Sequence, residues 1–398
     1  GGKYYTYKKK LKYGAKVDDE TGRYFQELEN HLRTLDDEEE VQMLLDNAME
    51  EAQGSELKVA CDAVCSRVME TLLAAAKAPQ VAAFLRALLP DFIEASTNLF
   101  GSHVIEKLFA AMGKHLVAPS QEVRDEFEAV LEDVCTKVVS NPYDIVCDKS
   151  GSHVSRQLLD LVSGRDVSEE LSSGKGPGGP GKSKKLAHRV GTGGGARRTE
   201  RASFPGLLHR LTHELLENTA GDIAGLRLDP YASPFLQAML LAVEGTPAVP
   251  TVIAHLLGCT GGAGAEDGER FAGADPEEVA ELVQERAGSH IVEAVLAACS
   301  PAMLSEVYRR FFRTRLLLLS LHPCANYAVQ ALITRAQEGP QVQLMLGELE
   351  EHIGNLLKSQ RAGVVASLLA ACGRLAVYRK EAARALAGGV YFMASGGK

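Results

Sequence analysis

Apolar residues recur at three- and four-residue steps along most of the chain. Over 123–138, Val123, Phe127, Val130, Leu131, Val134 and Val138 draw one face of a helix. No sustained alternation marks a strand outside the N-terminal KYYTYKKKLKYG, where it is weak. The pattern predicts an all-α chain, and a helical chain of this length is searched first for internal repeats. One short motif recurs seven times, as CSRVME, GSHVIE, GSHVSR, ASPFLQ, GSHIVE, ANYAVQ and AGVVAS, with second positions at 66, 102, 152, 233, 289, 326 and 363. Setting aside two low-complexity stretches, the underlying period is 36 to 39 residues, with longer connections around the third repeat.

The motif has a physical grammar. Its first residue is small, as a close helix approach requires. The second is mostly Ser or Asn, which reads as a helix N-cap. Apolar residues follow at the fourth and fifth places and resume two and three residues past the sixth, as at Leu72 and Leu73, Leu108 and Phe109, Leu158 and Leu159, and Val295 and Leu296. The second, third and sixth places are left on one side of the helix start. Six sets carry polar groups there: Ser66/Arg67/Glu70, Ser102/His103/Glu106, Ser152/His153/Arg156, Ser233/Pro234/Gln237, Ser289/His290/Glu293 and Asn326/Tyr327/Gln330. In five of them the middle residue is planar or cationic. That combination suits an unpaired base, with one side chain stacking on its face and two reading its edge. The seventh set, Gly363/Val364/Ser367, departs from the pattern and is expected to read nothing.

Charge divides the chain. The 398 residues carry a net charge of −9, yet residues 1–16 hold six lysines and no acid, and 17–60 hold fourteen acids against three bases. Residues 172–202 carry eight basic groups against one acid in a Gly-rich run without apolar periodicity. This run reads as a disordered basic insertion, and 258–274 as a long Gly-rich loop. The expected organisation is a basic tail over 1–22, a cap helix and repeats one to three over 23–171, the insertion over 172–202, and repeats four to seven over 203–398. Tyr24, Phe25, Leu28 and Leu32 hint at one helix after the tail. No apolar run is long enough to span a membrane. The chain begins Gly1-Gly2, and it reads as a piece whose true ends lie outside it.

The phrases GSHVIEKLF, SGSHVSRQLL, DPYASPFLQ, AGSHIVEAVL and HPCANYAVQ resemble Pumilio (PUF) repeats over roughly residues 60–372. With GRYFQELENHL and the basic N-terminus, the chain is similar to the nucleolar Pumilio-like subgroup that acts in small-subunit ribosomal RNA maturation. The resemblance implies an all-α, right-handed, C- or U-shaped solenoid of three-helix repeats, each second helix reading one base. It implies a nuclear, nucleolar protein that binds single-stranded or structured pre-ribosomal RNA near the spacer after the 18S sequence and restrains the endonuclease cutting there. Pre-40S assembly factors are further expected partners, and a monomer without membrane, cofactor or metal is expected. By the family's code, Ser/Glu at 66/70, 102/106 and 289/293 implies guanine, and Asn326/Gln330 implies uracil with Tyr327 stacking. Ser152/Arg156 implies a cytosine-type set and Ser233/Gln237 an adenine-like one, where Pro234 is an unusual stacker. The family has more repeats than are counted here, so a further block is expected beyond the C-terminus.

Other motifs carry less. Gly176–Ser183 spells a phosphate loop, but two prolines remove amides it needs and no strand precedes it. The three Gly-Ser-His strings lack a reproducibly placed acid, so no catalytic residue is assigned. Cys61 and Cys65 have no third ligand nearby, and the eight scattered cysteines read as reduced thiols. The alternative to RNA binding is a HEAT- or armadillo-like protein scaffold, which would not need a planar residue in phase in five sets.

Overall fold

A computed structural model describes residues 16–32, 37–165, 201–259 and 268–395. Two helices come first, α1 (Asp19–Leu32) and α2 (Glu38–Glu51). Seven three-helix groups follow among the described residues. They are α3 (Glu56–Cys61), α4 (Cys65–Leu73) and α5 (Ala78–Leu88); α6 (Phe92–Thr97), α7 (Gly101–His115) and α8 (Gln121–Ser140); and α9 (Pro142–Val146), α10 (Lys149–Val162) and α11 (Pro205–Thr219). Then come α12 (Ile223–Leu228), α13 (Ala232–Ala242) and α14 (Val249–Leu256); α15 (Pro276–Gln284), α16 (Arg286–Ala298) and α17 (Pro301–Val307); α18 (Leu316–Leu321), α19 (Ala325–Arg335) and α20 (Gly339–Leu349); and α21 (Ile353–Lys358), α22 (Ala362–Leu375) and α23 (Arg379–Ala394). Outside the helices, the isolated Val117–Arg201 bridge is antiparallel. Among the described residues the all-α reading in three-helix repeats holds.

The described residues form two compact units, one of residues up to 165 with 201–218, the other of 219–395. In the first, α4 packs on α7 and α7 on α10; in the second, α13, α16, α19 and α22 pack in succession. Each of these middle helices carries a motif in its first two turns. Because neighbours flank them, their buried stripe is wide: α4 buries Cys65, Ser66, Val68, Met69, Leu72 and Leu73, and α7 buries residues at the same offsets. The long amphipathic face over 123–138 is α8, with Phe127, Val130, Leu131, Val134 and Val138 buried.

The motif's serine is not the cap. It lies inside the helix, and the cap stands four residues earlier. Asp62 accepts from the Val64 and Cys65 N–H groups at 2.8 and 3.1 Å, and Asn98 from Phe100 and Gly101. Asp148, Asp229 and the ring of His322 do the same for the residues two and three positions on. These side chains satisfy the N–H groups a helix start leaves open. The first-position glycines meet a different demand. A Cβ at Gly101, Gly151 or Gly288 would come within 2.6, 2.4 or 2.2 Å of the carbonyl oxygen of Ala95, Ile145 or Leu282 on the preceding short helix.

The expected boundaries shift. Residues 1–15 of the basic tail lie outside the described residues, but α1 starts at Asp19 and Val17 is buried, so the fold begins before residue 23. Residues 166–200 also lie outside, and with them most of the basic insertion and the Gly176–Ser183 string. Arg201 and Ala202 belong to the folded part: Ala202 N–H donates to Leu116 at 2.9 Å, and Arg201 reaches the Arg165 carbonyl. Thus the chain leaves at Arg165 and returns beside it. The helix α11 then completes the third group rather than opening the fourth, with Asn218 donating to the Val139 carbonyl at 2.8 Å and Arg210 paired with Glu132 at 2.7 Å. The Gly-rich stretch expected over 258–274 falls between α14, which ends at Leu256, and α15, which starts at Pro276. Residues 260–267 lie outside, but Phe271 is fully buried, and its N–H and that of Arg270 donate to the buried Glu306 carboxylate.

Candidate nucleic-acid interface

The first turn of each middle helix sorts the motif by depth. Second positions Ser66, Ser102, Ser152, Ser233, Ser289 and Asn326 are all buried. Third positions point outward: Arg67 and Tyr327 are exposed, and His103, His153, Pro234 and His290 are half-buried. Sixth positions lie between, with Glu106 and Gln237 buried and Glu70, Arg156, Glu293 and Gln330 half-buried. The alternation follows from the helix turn, since the fourth and fifth residues must face the core.

Sixth and second residues meet directly where the sixth is an amide. Gln237 donates to Ser233 Oγ at 3.2 Å and Gln330 to Asn326 Oδ1 at 3.0 Å. Asn326 in turn donates to the His322 and Pro323 carbonyls. The serine hydroxyls of 102 and 289 donate to the Leu99 and Arg286 carbonyls and not to the neighbouring imidazoles. Arg156 turns back to its own helix, donating from Nε to the Ser152 carbonyl at 3.2 Å.

Adjacent sets touch electrostatically. Glu106, 3.8 Å from the His103 ring, pushes that imidazole's pKa up, and Glu70 of the preceding set adds to the effect. Burial raises the Glu70 carboxyl above the usual carboxylate range. In the next set the same residue type behaves oppositely. Burial, then the nearby Arg156, pull His153 down to about 4, so it is neutral at physiological pH. Arg67 pairs with Glu29 of α1 at 3.6 Å. At 70/103 and 106/153 the sixth residue of one set thus lies near the third residue of the next, as two faces of a slot would.

Three buried polar atoms of these sets make no hydrogen bond: Ser66 Oγ, His290 Nδ1 and Glu293 Oε1. The last two are 3.2 Å apart without hydrogen-bond geometry. Buried polar atoms left so cost about 1–3 kcal/mol each, and a ligand edge is one way to satisfy them.

The structure brings the sets at 66, 102 and 152 together in the first unit and those at 233, 289 and 326 in the second. The seventh is out of register. Val364, expected at its third place, is fully buried. Gly363 takes that place instead, where a Cβ would meet Gln330 Oε1 at 2.6 Å. It offers no side chain to stack. The capping residues at 62, 98, 148, 229 and 322 were missed by the motif search, although an Asp, Asn or His four residues ahead of the second position is plain in the sequence. Among the described residues no cluster of three His, Cys, Asp or Glu side chains could hold a metal ion.

The chain is similar to known proteins in sequence and in fold. A family model described as a NOP9-like PUF repeat domain matches residues 54–391. Pumilio homolog 23 of Arabidopsis thaliana is 31% identical over 382 residues, covering 94% of this chain and 50% of that protein. Nucleolar protein 9 of Penicillium rubens is 24% identical, covering 94% of this chain and 54% of its own length. The chain therefore spans about half the length of these relatives. A solved structure of APUM23 with GGAAUUGACGG superposes with a TM-score of 0.80 at 31% identity, covering 94% of this chain and 66% of that one. A complex of PUF-8 with PBE-RNA, 14% identical with a TM-score of 0.53, shares the fold.

Proposed function

The chain belongs to the NOP9-like PUF repeat family, and from that membership we propose that it binds unpaired RNA through its six in-phase sets and acts in the nucleolus in pre-ribosomal RNA processing. The observation carrying the reading is the depth order of the sets. Five of the six sets offer a planar or cationic side chain outside, Pro234 being the exception, and all six place hydrogen-bonding groups beneath it. Such a slot holds a base by stacking on its face and bonding its edge. An ionised Glu is an acceptor only, so Glu70, Glu106 and Glu293 suit guanine, whose Watson–Crick edge presents two adjacent donors. The paired amides of Asn326 and Gln330 both donate and accept, which suits uracil. Arg156 supplies only donors and suits cytosine, and Gln237 with Ser233 suits adenine. Maturation of 18S RNA and pre-40S partners belong to the same proposal, whose nucleolar part is supported by the name of the relative Nucleolar protein 9. The protein acts as a binder, and the sets include no nucleophile–base pair.

The test is fluorescence anisotropy with labelled GGAAUUGACGG at two salt concentrations, comparing wild type with a His103/His153/His290→Ala triple variant. Stacking of about 1–3 kcal/mol per base predicts at least a tenfold loss with the fold intact by circular dichroism. Unchanged affinity that vanishes at high salt would place binding on the basic segments and refute the proposal.

A further inference from the structure

The region before residue 54, outside the family match, repeats the architecture of the sets. We infer that α1 is the middle helix of a further, N-terminal repeat, and that Gly22, Arg23 and Gln26 form an additional RNA-base contact set. The inference rests on the RNA reading above.

Three independent features place it. The first is the cap. Asp18 accepts from the N–H groups of Glu20 and Thr21 at 3.1 and 2.9 Å, and its carbonyl accepts the Gly22 N–H at 2.9 Å. Asp148 accepts from Ser150 and Gly151 at 2.8 and 2.9 Å, and its carbonyl takes the Ser152 N–H at 2.9 Å. Asp62 repeats the pattern with Val64, Cys65 and Ser66. By this signature Gly22 is a second position. The second feature is burial. Counting from Gly22, the first, fifth and eighth places are Thr21, Phe25 and Leu28, all buried, and the fourth is the half-buried Tyr24. The third and sixth places, Arg23 and Gln26, are exposed. The third feature is packing. α1 lies on α4 as α4 lies on α7, and α2 follows it as a third helix follows a middle one. Glu29 of α1, one turn past the sixth place Gln26, pairs with Arg67, the outward residue of the next set.

The chemistry of this set differs from the others. Gly22 contributes no edge contact, although there is room for one: a Cβ there would lie 3.6 Å from Val17 Cγ2. Arg23 offers a planar guanidinium, with Nε tied to the Asp19 carbonyl at 3.1 Å. Gln26 is the single edge reader, and its amide both donates and accepts. The ligand is one more unpaired RNA base, held mainly by stacking on Arg23 with weak choice among bases.

The probe is GGAAUUGACGG carrying three uridines at each end, with a series in which each flanking nucleotide is made abasic in turn. Binding is measured for wild type, Arg23→Ala, Arg23→Lys, Gln26→Ala and His103→Ala. Wild type should lose about fivefold or more at one abasic flanking position. Arg23→Ala should lose as much on the intact probe and nothing further on that abasic probe. Arg23→Lys keeps the charge but not the plane, and should behave like the alanine variant. Both residues are exposed, so thermal unfolding should be unchanged. If Arg23→Ala binds every probe like wild type while His103→Ala weakens, α1 is a structural cap and the inference fails. Full activity of Arg23→Lys would make it a phosphate contact and also overturn base stacking. If His103→Ala has no effect either, the base-reading proposal itself falls.

Discussion

Gly288→Ala tests why the motif begins with a small residue. The added Cβ would lie 2.2 Å from the Leu282 carbonyl oxygen and 2.6 Å from Leu282 Cδ1. The obstructing oxygen belongs to the backbone of α15, which cannot rotate aside as a side chain would. Overpacking costs about 1–3 kcal/mol, and a backbone obstruction belongs in the upper half of that range. Against this stands the helix-propensity gain of Ala over Gly, up to about 1 kcal/mol. The net expectation is a loss of about 2 kcal/mol. For a unit of this size each kcal/mol moves the midpoint by about 2–4 °C, so Tm should fall by about 4–8 °C. The control is Gly347→Ala in α20, where nothing lies within 4 Å of the new carbon. It gains propensity without a clash and should be neutral or slightly stabilising. Urea and thermal unfolding followed by circular dichroism read both variants. Gly101→Ala, with its nearest contact at 2.6 Å, should be milder. The reasoning is refuted if Gly288→Ala is as stable as wild type while Gly347→Ala behaves as stated.

Further outcomes follow from the same geometry. Glu106→Ala and Glu293→Ala should weaken preference for guanine-bearing RNA in competition binding; unchanged preference would show that these carboxylates do not read the base. Asp148→Ala removes a side chain that accepts two N–H groups and should cost about 1 kcal/mol in urea unfolding. His153 has a folded pKa depressed to about 4, so the unfolded chain binds the extra proton as pH falls from about 6.5, and stability drains toward pH 4. His153→Ala should flatten the fall in urea midpoint between pH 7 and 5, and an unchanged slope would count against a buried neutral ring. His103 carries the opposite sign. Its raised pKa contributes stability below about 6.5 that is lost as pH rises through the folded value. NMR titration should place its ring above the ordinary histidine value, and Glu106→Gln should bring it down.

The repeat and its outward face were legible because both are periodic demands. A middle helix packed on two neighbours must bury its fourth, fifth and eighth residues, and the sequence shows this at Val68, Met69 and Leu72 as at Val104, Ile105 and Leu108. The cap was misread because Ser satisfies the composition rule for an N-cap equally well at a position that turns out to be buried. Only the helix start distinguishes Ser66 from Asp62. The third repeat was cut at the wrong place because an insertion hides in sequence what Arg165 and Arg201 show in space. The chain returns where it left, so α11 belongs with α8.

The seventh set and the first helix fail for the same reason, in opposite directions. At 362–367 a motif spelled almost in phase is rotated by one residue, because Val364 is apolar enough to be drawn into the core. At 21–26 the spelling TGRYFQ lacks the motif serine, yet Asp18, Phe25 and Leu28 hold it in the phase of the others. The second position is the wrong anchor for finding these repeats, since it is buried and tolerates Gly, Ser or Asn. The buried fifth and eighth places, with a side-chain cap four residues ahead of the second position in every set but that at 289, define the helix start physically. A search anchored on them excludes the apparent set at 363 and includes the one at 22. That exchange follows the helix phase rather than the spelling of the motif.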